Sequence, residues 1–200
     1  MSPGEGLRVQ MVGRETAEPG KYLTFSAGGT LFGLPVARVV HVLGRVGATP
    51  LPGAPPHVLG MIEFRRHALP LLDLAGKLGG TSAAPGKNAI VAAARLEGEV
   101  VGVALSVDTV YTVIDFGAGA IQDPPVLAEC HAPVLGVARS DRGGVAVLLD
   151  LDRLLAGWST ADWNALAVAA TPPFDTSTAH ASAHAAQPTL ASAYEEIESL

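Results

Sequence analysis

Two pairs of side chains in this sequence are of types that could carry out chemistry. Cys130 precedes His131, and a thiol next to an imidazole could act as a nucleophile with its base. Neighbouring side chains on an extended chain point to opposite faces, so we interpret Cys130 as a small structural cysteine. His180 and His184 have the i, i+4 spacing of two metal ligands on a helix, but the surrounding Ala, Ser, Thr and Pro residues indicate a solvated tail.

Two aspartates, Asp73 and Asp150, could act as paired carboxylates in acid/base chemistry. Each one ends an apolar run and is followed directly by leucine and, within four residues, by a basic residue. This pattern is typical of a side chain that caps the first turn of a short helix, and we predict that role for both. No other segment resembles a catalytic site or a phosphate-binding loop. The sequence therefore favours a binding module over an enzyme, and we expect neither a metal nor a cofactor.

A fourth group, which is polar, consists of Glu63, Arg65, Arg66 and His67 and stands between two apolar runs. These runs are typical of paired strands, so the group is predicted to lie at the tip of a hairpin, beside the proline-rich loop at residues 49–56. It could be an ordinary solvated turn or a binding site.

The charge of the chain limits its partners. The formal net charge is −6 at pH 7, so we expect neither nucleic acid nor an anionic membrane surface as a partner. Charged residues such as Arg95 and Glu97 interrupt the apolar segments well before the ~20 residues of a membrane span. The first residues lack the pattern of a secretory signal, so a cytoplasmic protein is predicted. The single cysteine excludes an intramolecular disulfide.

The elements that position these residues occur twice in the chain. Residues 59–62 and the run ending at Asp73 have counterparts in residues 135–138 and the run ending at Asp150. The matching glycines are 76 positions apart and the aspartates 77. A strand–turn–strand pattern precedes each copy, at residues 22–34 and 89–105. Twenty-three Gly and 15 Pro residues indicate short strands and tight turns, so we predict two similar small β domains.

The first copy resembles the CheW family of chemotaxis coupling proteins. The matching segments are residues 25–36, Val39, and residues 50–55, 58–65 and 69–74, which follow the family's pattern of Gly-hydrophobic-x-Asn-Leu-Arg-Gly and then Pro-hydrophobic-hydrophobic-Asp-Leu. Residues 143–155 also look like the last strand and helix of that family. The resemblance covers about residues 22–155.

The resemblance implies an all-β fold of two intertwined, five-stranded, SH3-like β-barrels with short helices. We expect the following division: residues 1–20, a flexible arm; 21–157, the CheW-like domain, with a first barrel at about 21–80 and a second at about 88–155 that exchange chain; 158–170, a short helix; and 171–200, a disordered tail with an acidic end.

The resemblance also implies a function. The family's members are cytoplasmic adaptors without a cofactor, and they link the cytoplasmic tips of chemoreceptors to the regulatory domain of a CheA-type histidine kinase in membrane-associated arrays. Carried over by position, Val36, Val39 and Arg65 would lie at or near the receptor-facing surface.

Three positions depart from the family's pattern, since His41 replaces Glu, Glu63 replaces Asn and Arg66 replaces Gly. We predict that Glu63 contacts Arg65, because side chains two apart on a strand share a face, and that His41 lies close to both. Histidine titrates near neutrality, so partner binding would vary between about pH 6 and 8. The predicted partner-binding residues are Val36, Val39, His41, Glu63, Arg65 and Arg66.

Two alternatives stay open from the sequence. One is a competing or inhibitory CheW-like protein of a non-flagellar pathway, for example in twitching motility. The other is a small-ligand or metal-dependent enzyme that uses Cys130 or the histidines.

Overall fold

The structure is a computed structural model that describes residues 17–80, 86–123, 133–139, 144–159, 161–163 and 166. These residues form eleven strands, which are β1 Gly20–Ala27, β2 Thr30–Pro35, β3 Val39–Leu43, β4 Val58–Phe64, β5 His67–Asp73, β6 Asn88–Leu96, β7 Glu99–Val107, β8 Thr109–Phe116, β9 Ile121–Gln122, β10 Val134–Arg139 and β11 Val145–Leu149. The short helices are α1 Leu74–Lys77, α2 Leu151–Leu154 and a 3₁₀ turn at Val36–Arg38.

The strands form two sheets that follow the same order over five strands, because β8, β1, β2, β11 and β10 of one sheet correspond in turn to β3, β6, β7, β5 and β4 of the other. One sheet runs β8-β1-β2-β11-β10-β9 and the other runs β3-β6-β7-β5-β4. Neighbours are antiparallel except for β2 with β11 and β5 with β7. The predicted all-β fold of two SH3-like barrels is confirmed, and the two-residue strand β9 adds a sixth member to the first sheet.

The two halves of the sequence exchange strands between the sheets. The hairpin of β1 and β2 joins strands β8 to β11 from the second half, whereas the hairpin of β6 and β7 joins β3, β4 and β5 from the first. The boundary between the two sheets therefore does not fall near residues 80–88, where the first copy of the repeat ends. One sheet combines residues 20–35 with 109–149, and the other is formed by residues 39–107.

Glycines allow the repeated elements to form. Gly60 and Gly136 each lie beside a shift in strand register, where an extra residue bends the strand. A Cβ on Gly60 would overlap the carbonyl oxygen of Thr49, and one on Gly136 would lie 2.8 Å from the carbonyl oxygen of Gln122. Because Gly60 has no side chain, the segment that follows β3 can cross closely over β4 and close that barrel. Gly136 has the same role where the segment that follows β8 crosses β10.

Most of the apolar core lies between the two sheets. This shared cluster contains large buried side chains from both, among them Phe25, Leu34, Leu72, Ile90 and Leu105. Two smaller clusters fill the barrels themselves, one around Tyr22 and Phe116 and the other around Ile62, Leu71 and Val91. Aliphatic packing on both faces of each sheet thus fixes the two barrels against each other.

The repeated aspartates cap the two helices, as the sequence predicts. The Asp73 carboxylate accepts a hydrogen bond from the Gly76 amide at 3.2 Å, and the Asp150 carboxylate accepts one from the Arg153 amide at 3.0 Å. Arg153 also forms an ion pair with Asp150 at 3.2 Å. Both carboxylates are buried and engaged in these caps, so they are not placed as an acid/base pair.

A segment beyond α2 packs onto the shared cluster. Residues 161–163 are helical, and the side chains of Ser159 and Asp162 cap that helix by hydrogen bonds to each other's backbone amides, both 3.1 Å long. Trp163 and Leu166 are buried. None of the helices in the described part of the chain has the length and apolar character to span a bilayer. The predicted tail at 171–200 and most of the N-terminal arm lie outside the described residues.

Candidate protein-interaction site

The turn between β4 and β5 presents adjacent cationic side chains to solvent. Phe64 pairs with His67, so Arg65 and Arg66 alone form a two-residue hairpin turn. Their φ angles are 49° and 69°, which is the left-handed conformation that such turns require. Arg65, Arg66 and His67 are all exposed, and we call these three residues the basic tip.

The ring of Phe64 packs against the basic tip. The Arg65 guanidinium lies over this ring, with its Cζ atom 5.1 Å from the centroid. The imidazole of His41, from β3, lies 5.6 Å from the same ring, measured between centroids. His41 and Arg65 therefore both pack on one partly buried aromatic ring. Phe64 is not among the residues predicted from the sequence, although an aromatic residue directly before the arginines is a usable signal.

The predicted contact between Glu63 and Arg65 is wrong. No ion pair joins these two exposed side chains in the described part of the chain, where the ion pairs are Arg38–Asp152 and Arg153–Asp150. The prediction assumed an extended strand through Arg65, but the strand ends at Phe64 and the positive φ of Arg65 turns its side chain onto the ring. Arg65 and Arg66 therefore keep their charges available for another molecule.

The two predicted apolar contact residues differ in exposure. Val36 lies in the 3₁₀ turn and is partly exposed. Val39 is only 5% exposed and belongs to the shared cluster, so the prediction of an apolar surface at Val39 is wrong. Its partner in the adjacent strand is Ala92, whose side chain faces the same cluster, and the bulge that follows Val39 turns the next residues of β3.

Arg38 differs from the arginines of the basic tip because its charge is used within the fold. Its guanidinium donates to the Asp152 carboxylate at 2.8 Å, and the same carboxylate accepts a hydrogen bond from the Arg95 amide at 2.7 Å. Asp152 thereby ties the 3₁₀ turn and β6 to α2. This contact fixes Val36–Arg38, and with it the partly exposed Val36, against the rest of the molecule.

The site has the composition of a contact surface. The described residues contain no group of three or more His, Cys, Asp and Glu side chains that could hold a metal ion. Cys130, His131, His180 and His184 lie outside the described residues. Exposed guanidinium groups beside a partly buried aromatic ring suit recognition of an acidic or amphipathic protein segment.

Comparison with known proteins places the chain in a family. The family model described as the CheW-like domain matches residues 21–157. The chain belongs to the CheW-like family. It is 33% identical to the chemotaxis protein CheW of Rhizobium meliloti (strain 1021) and 31% identical to a probable chemotaxis protein CheW of Rhizobium etli, each over 107 residues. Both alignments span 54% of this chain and 68% of the relative.

A solved structure extends the similarity to the fold. The scaffolding protein TtCheW from Thermoanaerobacter tengcongensis superimposes with a TM-score of 0.60 at 28% sequence identity. The match covers 70% of this chain and 94% of that one. This share is consistent with a CheW-like domain that ends near residue 157 and is followed by sequence of another kind.

Proposed function

We propose that this chain is a non-enzymatic adaptor that couples chemoreceptors to a CheA-type histidine kinase in a chemosensory array. The observation that carries the proposal is the match of the CheW-like domain across both barrels, residues 21–157, together with the likeness to a solved CheW scaffolding protein. A fold alone does not give a function, so the proposal also rests on the exposed cations of the site, which form no ion pair with any described residue.

The mechanism follows from the rigidity of the two-barrel core. The shared cluster holds both barrels in one arrangement, so a partner bound on one surface has a fixed geometry relative to a partner bound on another. A small displacement of the receptor tip would then be transmitted to the kinase without any chemistry in the adaptor. The receptor would meet His41, Phe64, the basic tip and the exposed part of Val36, and the kinase regulatory domain would meet a barrel end.

Reconstitution tests this function directly. Purified chain is mixed with the cognate receptor's cytoplasmic fragment and the CheA-type kinase, and kinase autophosphorylation is followed with and without the adaptor. We expect the chain to make phosphorylation respond to the receptor. If the kinase responds equally well without the chain, or if the chain binds neither protein, the proposal is wrong.

A matched pair of substitutions tests the assigned surface. Arg65→Ala removes a cation of the basic tip and is expected to weaken receptor binding about tenfold, which corresponds to about 1.4 kcal/mol. Arg139→Ala removes an exposed arginine of β10, in the other sheet, and should leave binding unchanged. Equal effects of the two substitutions would show that the receptor binds elsewhere.

A further inference from the structure

The basic tip is the one place in the sequence where two Lys or Arg residues are adjacent. The next residue, His67, adds a third polar side chain that carries positive charge when protonated. In the described part of the chain, neither Arg65 nor Arg66 forms an ion pair. In a chain whose net charge is −6, this turn is thus a local positive site without an ion-pair partner among the described residues.

The chain contains a segment with complementary charge and apolar content. Tyr194, Ile197 and Leu200 recur at every third position, and Glu195, Glu196 and Glu198 stand between them. This seven-residue segment contains three acidic residues and no basic ones. The preceding residues 167–193 hold a single formally charged side chain, Asp175, so the acidic charge is concentrated in the last segment.

We propose that residues 194–200 dock on the basic tip of the same chain. Glutamate carboxylates would pair with the guanidinium groups of Arg65 and Arg66, which bind carboxylates through parallel hydrogen bonds. An aromatic or aliphatic side chain of the segment, such as Tyr194, would pack on the partly exposed ring of Phe64 beside Arg65.

The connecting sequence is long enough for this contact. Trp163 belongs to the shared cluster and Leu166 is buried, and 27 residues lie between Leu166 and Tyr194. A coil of 27 residues has an end-to-end distance of about 28 Å, and its fully extended length is about 90 Å. A domain of this size has a radius of gyration of about 14 Å, so the segment can reach any part of its surface. Docking within one chain also benefits from the high effective concentration that a tether provides.

This contact would regulate the site that the proposed function uses. If that function holds, the docked segment competes with the receptor for Arg65 and Arg66, and a receptor must displace it to bind. The docking itself is independent of the proposed function, and its test contains neither receptor nor kinase.

The test measures proximity in the full-length chain. A nitroxide spin label is attached at Ser199→Cys in a Cys130→Ser background, and the backbone amide signals of the ¹⁵N-labelled protein are recorded by NMR. We expect the amide signals of the basic tip to lose most of their intensity, while the amide signal of Arg139, in β10 of the other sheet, keeps its intensity. At about 1 M salt the screening length falls to about 3 Å, and the tip signals should recover.

Charge exchange makes the test specific. Arg65→Glu with Arg66→Glu should abolish the intensity loss, and adding Glu195→Lys with Glu196→Lys should restore it. Glutamate is compatible with such a turn, since Glu97 has a φ of 51° in the turn between β6 and β7. The control Arg139→Glu, at an exposed arginine of the other sheet, should change nothing.

Three results would overturn the proposal. The first is a parent protein whose tip signals are unaffected by the label. The second is an intensity loss that survives the charge reversal at the tip, or one that the compensating exchange fails to restore. The third is an intensity loss of equal size when ¹⁵N-labelled chain without a spin label is mixed with spin-labelled chain, because the contact would then lie between two molecules.

Discussion

The imidazole of His41 lies against the phenyl ring of Phe64, with 5.6 Å between the ring centroids and 35° between the ring planes. His41 belongs to β3 and Phe64 to β4, which are the two end strands of one five-stranded sheet. The contact therefore marks the seam at which this sheet closes into a barrel. Arg65 packs on the same ring, so the candidate interaction site lies at this seam.

Replacing Gly60 should prevent the segment that contains Thr49 from approaching β4 at this seam. Gly60 has a φ of 141°, and an added Cβ would overlap the Thr49 carbonyl oxygen, whose residue pairs with Met61. We expect Gly60→Ala to destabilise the fold by more than about 2 kcal/mol in chemical denaturation. Gly44→Ala is the control, because no heavy atom lies within 4 Å of its added Cβ, and it should change stability by less than about 0.5 kcal/mol. Similar losses for both would contradict the assigned role.

Substitutions at Asp73 and Asp150 should distinguish the effect of the capping hydrogen bond on stability from the effect of the negative charge. Asp73→Ala removes the acceptor for the Gly76 amide and should cost about 1 kcal/mol, whereas Asp73→Asn keeps an acceptor oxygen and should cost less. At Asp150 the Asn variant also loses the ion pair with Arg153, worth about 0.5 kcal/mol at a partly exposed site. Denaturation midpoints check this order. An Asn variant as unstable as the Ala variant at position 73 would argue against capping.

Arg66→Gly should stabilise the protein. Arg66 has a φ of 69°, a conformation that costs a residue with a Cβ about 1 kcal/mol and costs glycine little. Part of the gain is lost because glycine adds disorder to the unfolded chain, so we expect a net increase of about 0.5 kcal/mol. Thermal unfolding measures it. In the same variant, receptor binding should weaken, because a cation of the basic tip is gone; a less stable protein would show that the arginine makes stabilising contacts.

Val39→Asp should unfold the domain. Val39 lies in the shared cluster, where a carboxylate would have neither water nor a cation, so we expect a loss of more than about 3 kcal/mol. Val36→Asp, three residues earlier and partly exposed, should be tolerated by the fold. Circular dichroism during denaturation distinguishes the two. A folded Val39→Asp protein with parental stability would show that the side chain of Val39 is exposed rather than buried.

The stability of the protein should fall at alkaline pH partly through Tyr22. Burial of its phenol raises the pKa of Tyr22 above the usual value, and the hydroxyl donates a 2.7 Å hydrogen bond to the Glu18 carbonyl oxygen. The neutral phenol thus stabilises the folded state fully below about pH 10, and this contribution is lost as the pH rises further, because the unfolded chain ionises first.

Tyr22→Phe gives the matching measurement. It removes the hydrogen bond, so it should be about 1 kcal/mol less stable than the parent at neutral pH. It also removes the titrating group, so the difference between the two proteins should shrink as the pH rises above about 10. Urea denaturation at several pH values measures the difference. A constant difference from pH 7 to 11 would contradict the buried, neutral phenol.

The local elements of this protein follow from its sequence. Glycine pairs, alternating apolar residues and the repeated aspartates specify turns, strands and helix caps through contacts between near neighbours, so the β fold, the repeat and the caps at Asp73 and Asp150 were all predictable. The basic tip was likewise placed correctly at a hairpin turn.

Which strands share a sheet, and which side chains meet, depends on contacts between residues that are distant in the sequence. The exchange of strands between the halves depends on packing in the shared cluster, which joins residues far apart in the chain. For the same reason, the burial of Val39 and the contact of His41 with Phe64 could not be read from spacing. Arg65 shows the limit of a local rule: period-two alternation holds within a strand, and the left-handed turn that ends the strand moves its side chain from Glu63 to the ring of Phe64.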